Sequence, residues 1–568
     1  MMKKILLSLL AVGAIFTANA QMAEGAQARV YAYDLKINSE TKVVTFKTNT
    51  VATTAKVIID GITEEVVATS NDGKSWTATI EPSAAYTAGT EYNWSVEVSA
   101  PAVNAWNELA GTPTYSDKKS AFRFYRSFGL CVNQNPESDY FGNVYAAHQF
   151  VKAASVSSYR STGMYVYNPD LTLQNNGNPY QNDFWGKGES TTALTSGLSP
   201  ADMCISEDGR IFMTNITSTD YNIYVINPND LTQISKVFTN ATIGTDEWGK
   251  TALKNTDDTR LTGLRGAITA TGSGEDTEVI VLDSDIYAKV WYSPFNVFKI
   301  GESNVWVEAT PSSVLGKSGA RMVYTYNEKT SAGVDTTYNK NIYIHNGLAS
   351  LESTKNGFWA VQTNNTQING SGTTITAIND KNHPTLFYYS NKTGKIECIN
   401  NTLTSNYSPA LAANSDLGLV AFTTAGTSTN GTPAVITKYT EDENCKVTIQ
   451  NGPNATDYLM KLLGSKADAM SFDYAGNLYA VTSGNETMVV YALPDALVGP
   501  NTRVTPAKKS STISFTQDEI DIATGLDNIA VDANAPVEYY NMQGVKVENP
   551  SNGIFIKKQG NKTTKVVL

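Results

Sequence analysis

The side chains best able to do chemistry are few and scattered. Only three histidines occur, His148, His345 and His383. They stand far apart, without the close spacing that metal ligands on one element show. No His-Glu-x-x-His pair, Gly-x-Ser-x-Gly elbow, phosphate loop or dinucleotide fingerprint is present. Two carboxylates flanking a glycosidic bond could cleave it by acid–base chemistry. Asp202 and Asp468 are candidates, because each precedes a short apolar strand, Met203-Cys204-Ile205 and Met470-Ser471-Phe472. They are out of register: Asp202 directly precedes its Met, whereas Asp468 stands one residue further back. A turn or strand-start role is the plainer reading of both, and Asp208 and Asp473 read as ordinary turn acids. Aromatic residues are more abundant, with 30 Tyr and 8 Trp. Their flat apolar faces with polar edges suit sugars and protein surfaces. Tyr145, Trp359 and Tyr479 lie inside strand phrases and read as packing residues. Trp185, Trp248 and Trp291 lie in or beside loop-like segments. With Asp202 and Asp468 they form the candidate ligand-binding set. The residues imply no metal and no cofactor.

The elements that must position these groups announce themselves by repetition. A glycine, an aliphatic, an aromatic and a small apolar residue recur. Gly142-Asn143-Val144-Tyr145-Ala146, Gly209-Arg210-Ile211-Phe212-Met213 and Gly476-Asn477-Leu478-Tyr479-Ala480 are clear copies. Gly357-Phe358-Trp359-Ala360 and Gly418-Leu419-Val420-Ala421 are looser ones. A strand phrase at long, even spacing marks a closed repeat architecture. The spacing leaves room for one further copy near Thr277–Leu282, a strand without the phrase, which gives six repeats. A seventh could hide between Trp291 and Tyr343 or close across the ends. Each repeat holds several short strands with Asn-Pro or Asp-Gly turns, as in a propeller blade. Helix-period sequence is scarce, and Asp457–Leu463 is its best candidate.

The chain is therefore expected to be all-β in three parts. Residues 28–100 carry period-two strands and read as an immunoglobulin-like β-sandwich. Residues 120–506 hold the β-propeller, and 507–524 form a polar linker. Residues 525–568 make a small C-terminal β-module. Ahead of these, residues 1–20 have a basic start, a short apolar run and a small-residue ending. That is the pattern of a secretory signal cut between Ala20 and Gln21. The formal net charge is −11 with 17% charged residues. Such an acidic, sparsely charged chain argues against nucleic-acid binding, which needs clustered Lys and Arg. No later stretch reads as a transmembrane segment. Of the four cysteines, Cys131 and Cys204 sit in apolar strands and read as small hydrophobes. Cys398 and Cys445 could pair.

Two resemblances rest on these residues. Ser206-Glu207-Asp208-Gly209-Arg210-Ile211-Phe212 and Asp473-Tyr474-Ala475-Gly476-Asn477-Leu478-Tyr479 resemble phrases of NHL-type and gluconolactonase-type six-bladed propellers. In gluconolactonase-like enzymes, an Asn before such a phrase helps hold a catalytic divalent metal. The matching places here are Ala201 and Asp468, and Ala201 carries no donor. The C-terminal pieces Tyr540-Asn541-Met542-Gln543-Gly544, Asn552-Gly553-Ile554-Phe555-Ile556-Lys557 and Lys565-Val566-Val567-Leu568 resemble the sorting domains of type IX secretion cargo in Bacteroidota-type proteins. That resemblance implies export from a Gram-negative cell, outer-membrane secretion machinery as a partner, and an extracellular or cell-surface location, with the periplasm as an alternative. The expected function is non-catalytic binding of a glycan or protein ligand. The alternatives are a propeller enzyme, either a polysaccharide hydrolase or lyase or a lactonase-like one, and a structural surface-assembly protein.

Overall fold

The computed structural model describes residues 22, 25–110, 122, 129–148, 163–180, 200–215, 223–237, 242–245, 251–254, 260–261, 267–282, 295–300, 306–309, 322–329, 331–342, 350–361, 367–368, 374–375, 386–400, 410–423, 432–449, 459–462, 467–482, 487–524, 535–560 and 562–568. The signal segment with Ala20 and Gln21 lies outside them, as do Trp185, Trp248, Trp291, His345 and His383.

Six inner strands pack side by side and close a ring: Gly129–Val132, Pro200–Ile205, Ile268–Thr271, Ser350–Thr354, Leu411–Asn414 and Ala467–Phe472, the last against the first. Each heads a sheet that runs outward, antiparallel except where Met322–Lys329 pairs Lys395–Asn400 in parallel. The chain therefore contains a six-bladed β-propeller. Blade two shows the pattern, with Pro200–Ile205, Ile211–Asn215, Ile223–Asn227 and Asp230–Lys236 in sequence order. Thr277–Leu282, the strand without the phrase, is the second strand of blade three. The segment that left room for a seventh blade holds a hairpin instead. Met322–Lys329 and Asp335–Ile342 extend blade four beyond its outer strand, Lys395–Asn400.

Burial explains why the phrase is apolar throughout. The second strands Val144–His148, Gly357–Val361, Leu419–Thr423 and Asn477–Thr482 are buried along their whole length. A blade covered on both faces has no solvent side, so alternation disappears. The cores lie between blades. One joins Tyr145, Met164 and Val166 of blade one to Met203, Ile211 and Met213 of blade two. Another joins Trp359 and Tyr388 of blade four to Val420, Phe422 and Tyr439 of blade five. The phrase glycine serves the turn from inner to second strand. Gly209 and Gly476 hold φ of 87° and 88°, a left-handed conformation that costs other residues about 1–2 kcal/mol.

Sequence boundaries shift in four places. Blade six is completed by Asn107–Ala110, which pairs with Thr487–Ala492. The propeller thus takes an edge strand from before residue 120, and N-terminal chain closes the ring. The sandwich has two four-stranded sheets, and one of them takes Thr502–Pro506 as its edge. The polar segment 507–524 is packed rather than linking. Ile513, Phe515 and Ile520 join the core of Phe46, Trp76, Trp94 and Val96, and Gln517–Thr524 is a helix. Lastly, the expected helix near residues 457–463 is replaced at Leu459–Leu462 by a strand paired with the third strand of blade five. Ladder pairing with an apolar neighbour outweighs local propensity there.

Sandwich and propeller meet at Arg29, whose side chain is 4% exposed. Its Nε donates to Ala475 O at 3.2 Å, and Nη1 to Leu493 O at 3.2 Å and Asp495 Oδ1 at 2.9 Å. Nη2 donates to Gly499 O at 2.8 Å and Pro500 O at 2.9 Å. Tyr31, Phe141 and Tyr474 form an edge-to-face cluster at the same joint. The C-terminal module is a four-stranded antiparallel sheet of Val537–Tyr540, Lys546–Val547, Ile554–Gln559 and Lys562–Val567. Neither of its faces is buried, and Val537, Met542, Val545, Ile554 and Val567 are exposed. No helix among the described residues is long and apolar enough to cross a membrane.

Candidate ligand site at the channel mouth

Where the inner strands end and turn outward, five blades surround a cavity of about 330 Å³. Its lining alternates two kinds of residue. Val132, Ile205, Ala270 and Ala413, from four different blades, form an apolar collar. Gln134, Glu207, Glu352, Ser353, Lys355 and Asp416 supply polar groups. Gln134 belongs to blade one but reaches over its neighbour, blade six, to blade five. Its Nε2 donates to Ala413 O at 3.2 Å and Phe472 O at 2.9 Å, tying blades five and six to the rim. Asp416 is engaged by Arg503 Nη2 at 3.4 Å.

Glu352 is the carboxylate at the centre of this arrangement. It lies mid-way along the inner strand of blade four, opposite Trp359. Burial first, and then the charge of Asp202, hold its carboxyl well above the usual carboxylate range. No hydrogen bond or ion pair among the described residues satisfies it. Asp202 lies in the inner strand of blade two, and burial raises it to about 8 against an ordinary 3.8. Two backbone amides oppose that rise: Met203 N donates to Oδ1 at 2.9 Å and Ile268 N to Oδ2 at 3.2 Å. Both acids retain some accessible surface, yet burial is the largest cause of each rise. Partial exposure and strong desolvation therefore coexist.

The candidate acids Asp202 and Asp468 lie in the inner strands of blades two and six. Asp202 staples blade two to blade three through Ile268 N. It does not line the mouth, and neither does Asp468. Their offset is structural. A bulge falls between Pro200 and Asp202 in blade two and between Ala467 and Ala469 in blade six. Ala201 and Asp468 are thus the corresponding residues, and Asp202 corresponds to Ala469. Asp208 and Asp473 are turn acids as expected. Asp208 pairs with Arg210 at 2.8 Å and accepts Gly274 N, and Asp473 accepts the amides of Ala475 and Asn477. His148 is buried in the second strand of blade one. All four cysteines are buried, free thiols, and burial raises those of Cys131, Cys204 and Cys398.

Glu352 and Gln134 escaped the sequence reading. A signal existed for Glu352, the one charged residue in Ser350-Leu351-Glu352-Ser353-Thr354 just before a phrase glycine. Gln134 lies in a polar turn, where nothing in sequence marks a residue that ties its blade to two others. The divalent metal of gluconolactonase-type propellers does not fit this ring. Ala201 offers no donor, and no three His, Cys, Asp or Glu among the described residues gather as a ligand set.

No family model and no curated protein matches the chain. Solved structures similar to it include a structural-genomics protein of unknown function from Bacteroides thetaiotaomicron. That match has 11% identity and a TM-score of 0.33, and covers 83% of this chain and 100% of that one. The WD40 β-propeller domain of Doa1 has 9% identity and a TM-score of 0.27, with 66% and 98% covered. The Dos1 propeller has 9% identity and a TM-score of 0.28, with 69% and 94% covered. The propeller assignment rests on the closed ring of six inner strands.

Proposed function

We propose that this chain is an exported, non-catalytic propeller that binds a glycan or protein ligand at the mouth of its central channel, at or outside the cell surface. The observation that carries this reading is the mouth cavity itself. It is concave, lined from five blades, and part apolar, part polar, as small-ligand and side-chain pockets are. Rigid inner strands hold turns that are free to vary, which is where scaffolds place function. The signal-like start supports export. So does the C-terminal sheet, which stands apart from the two larger units and resembles type IX sorting domains.

The desolvated Asp202–Glu352 pair favours a second reading, a propeller enzyme using acid–base chemistry on a polysaccharide. Against it, Asp202 is committed to two amides and lies outside the mouth, so a substrate there meets one carboxylate rather than two. A glycan array and a panel of surface proteins, with hydrolysis followed in parallel, test both readings. Binding without turnover, abolished by Ser353→Trp in the mouth, is the expected result. Turnover lost in Asp202→Asn would establish the enzyme instead. Binding unchanged by Ser353→Trp would move the site away from the channel.

A further inference from the structure

The channel mouth is selective in what it offers. Its lining contains no Trp, Tyr or Phe, so the flat stacking platform that favours sugars is missing among the described residues. Instead, the collar of Val132, Ile205, Ala270 and Ala413 surrounds a carboxylate, Glu352, that no described donor satisfies. A desolvated carboxylate gains from a cation that comes with its own apolar sleeve. The rim adds Glu207 and Asp416, with Lys355 as the one lining cation and Arg503 engaging Asp416 from outside the lining. Glu207 and Lys355 are solvent-exposed.

We infer that the mouth takes a lysine side chain of a protein partner, with its methylene stem in the apolar collar and its ammonium on Glu352. This rests on the mouth being the ligand site. Lysine suits the shape better than arginine. Its charge is compact and its stem flexible, whereas the guanidinium fork calls for bidentate partners. Glu352 offers one carboxylate, and the nearest second one, on Asp202, is already held by Met203 N and Ile268 N. Capture of the ammonium competes with protonation of Glu352, so binding strengthens as pH rises. The titratable groups that face Glu352 are Asp202 and Cys204 of blade two and Cys131 of blade one, with Glu207, Lys355 and Asp416 at the rim.

The test uses the full mature chain and Nα-acetyl-lysine-N-methylamide as probe, followed by calorimetry or NMR titration from pH 5.5 to 8. Saturable binding that tightens with pH is expected. Nε-acetylation of the probe and Glu352→Gln should each weaken it at least tenfold, while Asp416→Asn changes it less than twofold. Free and Nε-acetylated probe binding equally to the unaltered protein would overturn the inference, and this arm needs no variant to fold. Glucosamine binding more tightly than the lysine probe would overturn it in favour of an amino sugar. A ligand that Ser353→Trp expels, but which neither competes with the probe nor responds to Glu352→Gln, would refute the lysine while leaving the mouth as the site. Indifference to Ser353→Trp as well would refute both.

Discussion

Asp202 shows how one residue can mislead a sequence reader and still matter. It lies within Pro200–Ile205 rather than before the strand, but its link to an inner strand was legible, and so was its misfit with Asp468. The bulge that causes the misfit was not, because bulges depend on pairing rather than on residue type. Its protonation has a testable consequence. In the unfolded chain it loses its proton near 3.8, whereas in the fold it keeps it to about 8. The native state therefore binds more protons across that window, and its stability falls as pH rises. Between pH 5 and 7.5 the unaltered protein should lose about 1–3 kcal/mol through this group. Asp202→Asn should shrink the loss, leaving the share from Glu352. Urea melts of both proteins at the two pH values measure it, and equal pH slopes would exclude a proton on Asp202. Glu352 was harder to see, since an isolated acid in a strand gains meaning only when a ring of other strands encloses it.

At the scale of elements, the strand phrase was the most legible feature, because the same packing problem recurs in each blade and is solved with the same residue types. Its glycine can be tested directly. A Cβ on Gly476 would lie 2.9 Å from Leu417 Cδ1, on top of its φ of +88°. Gly476→Ala should cost about 2–4 kcal/mol, combining backbone strain with crowding. Gly61 has a similar φ of +79° but nothing within 4 Å, so Gly61→Ala should cost only about 1 kcal/mol. Denaturant midpoints separate the two, and equal costs would show that backbone strain alone sets the requirement. The C-terminal sheet makes the opposite prediction. Its strands bond only with one another among the described residues. A chain ended at Thr524 should melt within about 1 °C of the full chain, because removing few buried contacts changes ΔG little. A larger fall would reveal docking onto the rest of the molecule. What sequence could not give at this scale was long-range pairing. Thr502–Pro506 looked like the end of the propeller, yet its partner is Trp94–Ser99 of the sandwich.

For the whole molecule, the path of the chain argues for one cooperative body. The chain opens in the sandwich and crosses to close blade six with Asn107–Ala110. It then circles the ring and returns to the sandwich at Thr502–Pro506. A sandwich that served only as a spacer would need one crossing and a loose hinge. This joint has two crossings, an aromatic cluster and a buried guanidinium that binds four carbonyls and a carboxylate. Burial pushes the pKa of Arg29 down while Asp495 pulls it up. The ion's bonds thus offset the water lost on burial of the charge. Removing it strands the carbonyls of Ala475, Leu493, Gly499 and Pro500 and the charge of Asp495. Arg29→Ala should therefore destabilise by about 3–5 kcal/mol, and the loss should fall on the joint. Calorimetry should show one transition for the unaltered protein and two for the variant, as sandwich and propeller come to unfold separately. A single transition merely shifted to lower temperature would mean that the second crossing couples the units without Arg29. Two transitions in the unaltered protein would mean that the sandwich is an independent module after all, free to reorient against the channel mouth.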